Sequence, residues 1–349
     1  MIYMCQLAAY VGDRPISPLL LNALKHQEPY FGGHATGIGV LKGEAIDFVK
    51  APGHVAHVKK TTDIERLEGT CAIAHSRYNA DAKDDARYNT VGMAHPFLSD
   101  DGRIALMHNG GIANYKDHWE RLRGSHEFRS YSQEVDAITD SEVAVHMLAD
   151  EVTGGKPVGD ALKSTAAQLT GSFLLGAISV DEPDTVYIAN WHQPCYLAMG
   201  DDEAMFVSSR IGLRDVKDEM TSIFKPPKNS LIRLTRGGAD ISVLDKDRRV
   251  PDLRLDANLL GERFEDVLRE KGRRDFREMW YDLNPEAWAE AYGLSVDEWN
   301  AFRKAGVSVV NPYIEVVEML KREFRVVESI DTRMEGGVAG TPRFSYVLA

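Results

Sequence analysis

Short apolar runs of strand length stand on both sides of a helical stretch, and that arrangement limits the fold more than any other feature. Gln6–Val11 is apolar nearly throughout, as expected of a central strand covered on both faces. Residues 18–24 carry helical spacing, and residues 37–41 with 46–49 read as a hairpin turned at Lys42-Gly43-Glu44. Helical periodicity returns at 141–152 and 157–169. Strand-like runs then follow at 172–180, 185–189, 204–207, 230–234 and 240–244. A sheet must cover its apolar face with another layer, so these elements predict a sheet-rich sandwich.

The chain of 349 residues has room for one large domain with an appendage, or for two domains. Hydrophobic residues at 44% and charged residues at 27% are ordinary for a globular protein. Lys+Arg 41 against Asp+Glu 53 gives a net charge of −12, which argues against nucleic acid as a partner. No uninterrupted apolar stretch approaches the roughly 20 residues that cross a bilayer, so no membrane partner is expected. The start, Met-Ile-Tyr-Met-Cys-Gln, lacks the basic residues and apolar core of a secretion signal. Three cysteines cannot form a disulfide framework, and a reactive thiol needs a reducing compartment. A cytoplasmic location is expected.

Cys5, directly after Met4, is the chemically loaded residue. A thiol needs a base, and a free α-amino group, with a pKa of about 8, is one. If Met1–Met4 were removed, or if translation began at Met4 and Met4 were trimmed, Cys5 would carry nucleophile and base together. Two further segments bear on it. Cys71-Ala-Ile-Ala-His75-Ser-Arg77-Tyr78 is a strand-like run that ends in polar residues. Arg103-Ile-Ala-Leu-Met-His108-Asn109-Gly110-Gly111 is a second, ending in a glycine-rich turn. Ala94-His95-Pro96 lies between them, and Thr139-Asp140-Ser141-Glu142-Val143 follows. Plainer readings exist for each residue. Arg77 fits a solvated or paired arginine, Asn109-Gly110 a common turn dipeptide, and Asp140 a helix cap. His75, His95 and His108 fit no standard zinc spacing and read as hydrogen-bonders lining a site. Cys71, in an apolar strand, and Cys195, after Pro194, read as inert.

Taken in order, Cys, His-Ser-Arg, Ala-His-Pro, His-Asn-Gly and Asp-Ser-Glu-Val resemble the glutaminase domain of class II glutamine amidotransferases. These are N-terminal-nucleophile (Ntn) hydrolases, and the likeness is strongest to the domain in glucosamine-6-phosphate synthase. The resemblance implies an α+β fold, a four-layer αββα sandwich over residues 5–250, with Cys5 at the mouth of a cleft. It implies glutamine as the small-molecule substrate, with neither cofactor nor metal. Cys5 would be the nucleophile, and Asn109 and Gly110 the oxyanion hole. Arg77 would clamp the substrate carboxylate and Asp140 its ammonium, with Tyr78 and His95 completing the substrate site. Two departures stand out. Gln6 follows the nucleophile where the family has glycine, and Cys5-Gln6-Leu7 is similar to the Cys-Arg-Leu start of a branch that includes γ-glutamyl hydrolases. Tyr78-Asn79-Ala80-Asp81 replaces the usual Trp-Ala-Thr-His, so a hydroxyl and an imidazole are missing or come from elsewhere.

Residues 251–349 read as a mostly helical extension. Residues 259–271 form an amphipathic helix, and Asn284-Pro285, Ser295-Val-Asp-Glu298 and Asn311-Pro312 open others, the second with a capping box. Residues 323–330 and 344–348 suggest a closing hairpin. The pair of helices after Asn284 has a helix-turn-helix look, but its acidity favours packing against the core or a partner subunit over DNA. No phosphosugar-isomerase or phosphoribosyl-transferase pattern is recognisable. The expected function is therefore a stand-alone glutaminase subunit that makes glutamate and ammonia through a Cys5 thioester and passes the ammonia to a separate synthase. A γ-glutamyl amide or peptide hydrolase uncoupled from any synthase remains open. So does a catalytically silent scaffold that binds glutamine or a partner, and so does self-association.

Overall fold

The computed structural model describes residues 5–193, 195–249, 253–304, 307 and 310–349. Met1–Met4, whose removal the sequence suggests, lie outside the described residues. The chain divides into two compact units, one of residues up to Arg249 together with Met334–Thr341, the other of Val250–Arg333 with Pro342–Ala349.

The first unit is built on strands whose two faces are both apolar. In β1 (Gln6–Val11), Leu7, Ala9 and Val11 enter one buried cluster while Ala8 and Tyr10 enter another. Along the chain follow β2 (Ala35–Lys42), β3 (Ala45–Pro52), β4 (Cys71–Arg77), β5 (Phe97–Leu98) and β6 (Ile104–Ile112). After the central helices come β7 (Gly171–Ser179), β8 (Val186–Trp191), β9 (Tyr196–Met199) and β10 (Ala204–Val207). The last three are β11 (Ser222–Phe224), β12 (Asn229–Thr235) and β13 (Gly238–Val243). Two sheets result, ordered β11-β9-β10-β1-β4-β2-β3 and β13-β12-β8-β7-β6-β5. The hairpin β2–β3 turns on Gly43-Glu44, with Gly43 at φ +61, where glycine alone is unstrained.

Three apolar layers hold the unit together. Leu7, Ala9 and Ile73 of the first sheet face Ala105, Met107 and Leu174 of the second. The outer face of the first sheet, with Ala8, Tyr10 and Ile38, packs on α1 (Ile16–Gln27) and α2 (Val55–Thr61) through Leu20, Leu24 and Val58. On the outer face of the second sheet, Leu106, Phe173 and Leu175 meet helices that follow α3 (Tyr115–Leu122). These are α4 (Asp140–Thr153) and α5 (Val158–Gln168), which contribute Val143, Leu148 and Leu162. Helix, sheet, sheet, helix is the expected four-layer order. β1 stands fourth of seven strands, hence central.

The second unit holds α6 (Ala257–Lys271), α7 (Phe276–Asp282), α8 (Pro285–Ala291), α9 (Val296–Lys304) and α10 (Val310–Arg322). Local signals start several of them. Asn284 accepts the Ala287 N–H at 2.8 Å, and Ser295 and Glu298 cap each other reciprocally. Trp280, Trp288, Trp299 and Tyr313 pack ring on ring at its centre. Beside them, β14 (Arg274–Asp275), β15 (Val326–Glu335) and β16 (Val338–Leu348) form a small sheet. The closing hairpin is longer than residues 323–330 and 344–348 suggest. Its tip is grouped with the first unit, where Asn89 Nδ2 donates to Gly336 O at 2.8 Å and His34 Nε2 lies 3.2 Å from Glu335 Oε2. Among the described residues no helix is long and apolar enough to cross a membrane.

Candidate active site

β1 and β4 run antiparallel with Gln6 opposite Ser76 and Val11 opposite Cys71, which sets the start of one strand beside the end of the other. Alternation carries Cys5 onto the inner face shared by Leu7, Ala9 and Val11. In β6 the same parity puts Asn109 on the face of Ala105 and Met107, looking inward from the second sheet. The two residues meet there. The Cys5 N–H donates to Asn109 Oδ1 at 2.8 Å. Asn109 Nδ2 is buried with no hydrogen-bond partner among the described residues. An unsatisfied buried donor costs about 1–3 kcal/mol, so such a group calls for a functional account.

Cys5 Sγ lies between the backbone groups of Tyr78, with the Tyr78 N–H donating to it at 3.4 Å and Tyr78 O at 3.5 Å. Burial pushes the thiol up to about 11, against the Tyr78 backbone and Arg77, which lower it. At neutral pH this sulfur is protonated, so it needs a base to react. Burial raises Cys71 and Cys195 as well, and Cys71 Sγ is 3.6 Å from Thr185 O.

Asn109 and Gly110 are not in a turn. Both lie within β6, paired with Leu174 and Phe173 of β7, so sheet pairing overrides the local turn preference of Asn-Gly. Gly110 has φ +120, and a Cβ there would stand 2.1 Å from Ser172 O. No other residue fits that position without moving the backbone.

Arg77 ends β4, buried, and its Nη1 donates to Tyr88 O at 2.9 Å and Asn89 Oδ1 at 3.4 Å. Burial lowers its pKa, while the nearby Cys5 and Asp140 act the other way. Asp140 opens α4, where a carboxylate also suits the helix dipole. It accepts the Ile112 N–H at 2.9 Å and the Ser141 hydroxyl at 3.1 Å, with His108 Nδ1 at 3.5 Å. Burial works against its ionisation, but His108, the Ile112 N–H and Ser141 outweigh it and hold the carboxyl below its usual range.

The three histidines behave differently from one another. His75 Nε2 lies 3.0 Å from His108 O, and His108 Nδ1 lies 2.9 Å from Ser141 Oγ. Among the described residues His95 makes no hydrogen bond through either ring nitrogen, which corrects its reading as a hydrogen-bonder. Its ring stacks on His75 at 3.8 Å between centroids and meets Phe97 edge-on. Burial pulls His75 down to about 3 and His95 well below its ordinary value, so both are neutral. Lys50 escaped the sequence reading. Its ammonium donates to Ala94 O at 2.7 Å and Pro96 O at 3.1 Å, fastening the Ala-His-Pro segment. Gln6 also finds a place: its Oε1 accepts from Ser208 Oγ at 3.0 Å, in a buried network with Gln27. These partners lie far apart along the chain, so no local spacing announces them.

A cysteine at the inner start of a central strand, in an αββα sandwich, defines the Ntn-hydrolase architecture. The comparisons agree with this. Glutamine phosphoribosylpyrophosphate amidotransferase from B. subtilis shares the fold, with a TM-score of 0.60 at 17% identity, covering 83% of this chain and 64% of that one. Residues 86–213 match the glutamine amidotransferase domain family. A glutamine–fructose-6-phosphate aminotransferase (isomerizing) from Thermococcus kodakarensis is 32% identical over 209 residues, 60% of this chain and 32% of that protein. One from Streptococcus pyogenes is 29% identical over 245 residues, 70% of this chain and 37% of that protein. Over residues 86–213 the chain matches a glutamine amidotransferase domain, and it is homologous to part of these aminotransferases. It spans about a third of the length of the relatives it matches.

Proposed function

We propose that this chain is a glutaminase subunit that hydrolyses the side-chain amide of glutamine and hands the ammonia to a separate synthase. The observation that carries the reading is the unpartnered Asn109 Nδ2 beside Cys5. In the proposed reaction the freed α-amine of Cys5 takes the thiol proton as Sγ attacks the amide carbon. Negative charge on the amide oxygen is met by Asn109 Nδ2 and the Gly110 N–H. The α-ammonium then returns the proton to the leaving nitrogen, and ammonia departs. The γ-glutamyl thioester left on Cys5 is attacked by water, giving glutamate and the free thiol. Arg77 binds the substrate carboxylate, Asp140 its ammonium, and Tyr78 the reacting end, with His95 supporting from behind through His75.

A second reading, a γ-glutamyl amide or peptide hydrolase without a synthase, draws on Gln6 in place of the family glycine and on Tyr78-Asn79-Ala80-Asp81. One experiment separates the two. Protein beginning at Cys5 is given glutamine or a γ-glutamyl dipeptide, with and without proteins that co-purify from its native source, and glutamate and ammonia are measured. Glutamine turnover that rises with a co-purifying protein supports the subunit. Preference for the dipeptide, indifferent to any partner, supports the hydrolase. No turnover of either overturns both.

A further inference from the structure

Three side chains from separate elements of the first unit converge away from the residues described above. They are Asp100 in the turn between β5 and β6, His126 just after α3, and His146 on α4. One donor atom from each lies within 4.8 Å of the others. His126 Nδ1 is 2.8 Å from Asp100 Oδ2, and its other nitrogen, Nε2, is 3.1 Å from Asp150 Oδ1. His146 Nδ1 is 3.8 Å from Asp100 Oδ1. The two imidazole rings lie 4.6 Å apart, and Phe128 closes the far side of His146 at 4.8 Å.

We propose that Asp100, His126 and His146 bind a divalent transition-metal ion of the zinc type. Ion pairing explains Asp100, His126 and Asp150, but it does not explain His146. That side chain is 1% exposed, and although the Glu127 backbone approaches it, among the described residues neither ring nitrogen makes a hydrogen bond of good geometry. A buried ring nitrogen left without a good partner is destabilising, and a metal–nitrogen bond would remove that deficit. The spacing suits a shared ion. Two ligands bonded at 2.0–2.2 Å to one tetrahedral centre stand about 3.4 Å apart, between the 2.8 and 3.8 Å seen on the two sides of Asp100. Two imidazoles with one carboxylate select a borderline transition metal over calcium or magnesium, which take oxygen ligands.

Asp150 supplies what such sites use around the metal. It sits one helical turn after His146, and its carboxylate accepts from His126 Nε2, which turns Nδ1 towards Asp100 and His146. The ion would tie together the β5–β6 turn, the chain after α3, and α4. Asp140 belongs to that same helix, so the clasp would brace the element that carries a proposed substrate-binding carboxylate.

The test is zinc titration of the full chain after chelation and dialysis, by calorimetry, with cobalt absorption as a second readout. One equivalent of zinc per chain, a rise in the thermal midpoint and tetrahedral cobalt bands are expected. Asp100→Asn and His126→Gln, both at partly accessible positions that leave the buried ring in place, should weaken zinc at least tenfold. Asp150→Asn should weaken it tenfold to a hundredfold, as an orienting partner does. Cys5→Ala should leave binding unchanged. Absence of saturable binding in the native chain overturns the proposal. Equal binding by Asp100→Asn and His126→Gln overturns it too, and loss of binding in Cys5→Ala would move the metal to the thiol.

Discussion

The amide of Asn109 accepts the Cys5 N–H through Oδ1 at 2.8 Å and keeps Nδ2 buried without a partner among the described residues. One side chain thus holds the nitrogen proposed as base and offers a donor to the oxygen proposed to gain charge. A free amine at Cys5 can keep donating to Oδ1 while its lone pair turns to Sγ.

The donor can be removed while the acceptor is kept. Asn109→Asp retains an oxygen for the Cys5 nitrogen but places a second oxygen where the oxyanion forms. The turnover number for glutamine should fall at least a hundredfold, from the roughly 3 kcal/mol such a donor supplies, with KM nearly unchanged. A raised KM at constant turnover would make Asn109 a binding residue only.

Maturation should control activity. With its thiol pushed up to about 11, Cys5 holds little thiolate at neutral pH and depends on a base. Protein that starts at Cys5 should release ammonia and be alkylated at Cys5 by a glutamine-analogue electrophile far faster than at Cys71 or Cys195. Full activity from protein retaining Met1–Met4, checked by intact mass, would refute the free-amine mechanism.

Substrate reading should depend on the shape of Arg77 and not on its charge alone. Arg77→Lys should raise KM for glutamine about tenfold or more, since an ammonium cannot supply a planar two-donor fork. Asp140→Asn should raise KM as well. Unchanged steady-state kinetics in both would mean that the substrate is not a free amino acid.

Acid should destabilise the first unit through its stacked histidines. His75 is depressed from 6.5 to about 3 and His95 is lowered too, both by burial, so the fold prefers the neutral rings. The His75 contribution is present above pH 6.5 and is lost as pH falls from there towards 3, and that of His95 is lost in the same direction. Each pH unit in that window costs about 1.4 kcal/mol through His75. The thermal midpoint should drop between pH 6.5 and 4, and His95→Leu should flatten the fall. An equally steep fall in His95→Leu would assign the acid sensitivity to other groups.

Much of this molecule is written locally. The nearly unbroken apolar run of Gln6–Val11 identifies a strand covered on both sides, and Asn284 and Ser295 with Glu298 announce helix starts, because these signals lie within a few residues. The order of motifs around Cys5, Arg77, Asn109 and Asp140 likewise needs no coordinates to be seen. Two short helices, α2 and α3, were not legible, since seven or eight residues carry too little periodicity.

Tertiary structure alone decided the rest. Asn109-Gly110 has the local chemistry of a turn, yet pairing with Leu174 and Phe173 keeps it in a strand. Cys5 and Asn109 stand 104 residues apart and bond because two sheets close face to face over Leu7, Ala9, Ala105 and Met107. The tip of the C-terminal hairpin seats its Gly336 carbonyl on Asn89, and Asp100, His126 and His146 gather from a turn, a loop and a helix. Spacing along the chain records which face a side chain takes. Which faces meet is set by the burial of whole apolar layers, and only the folded sheets display that.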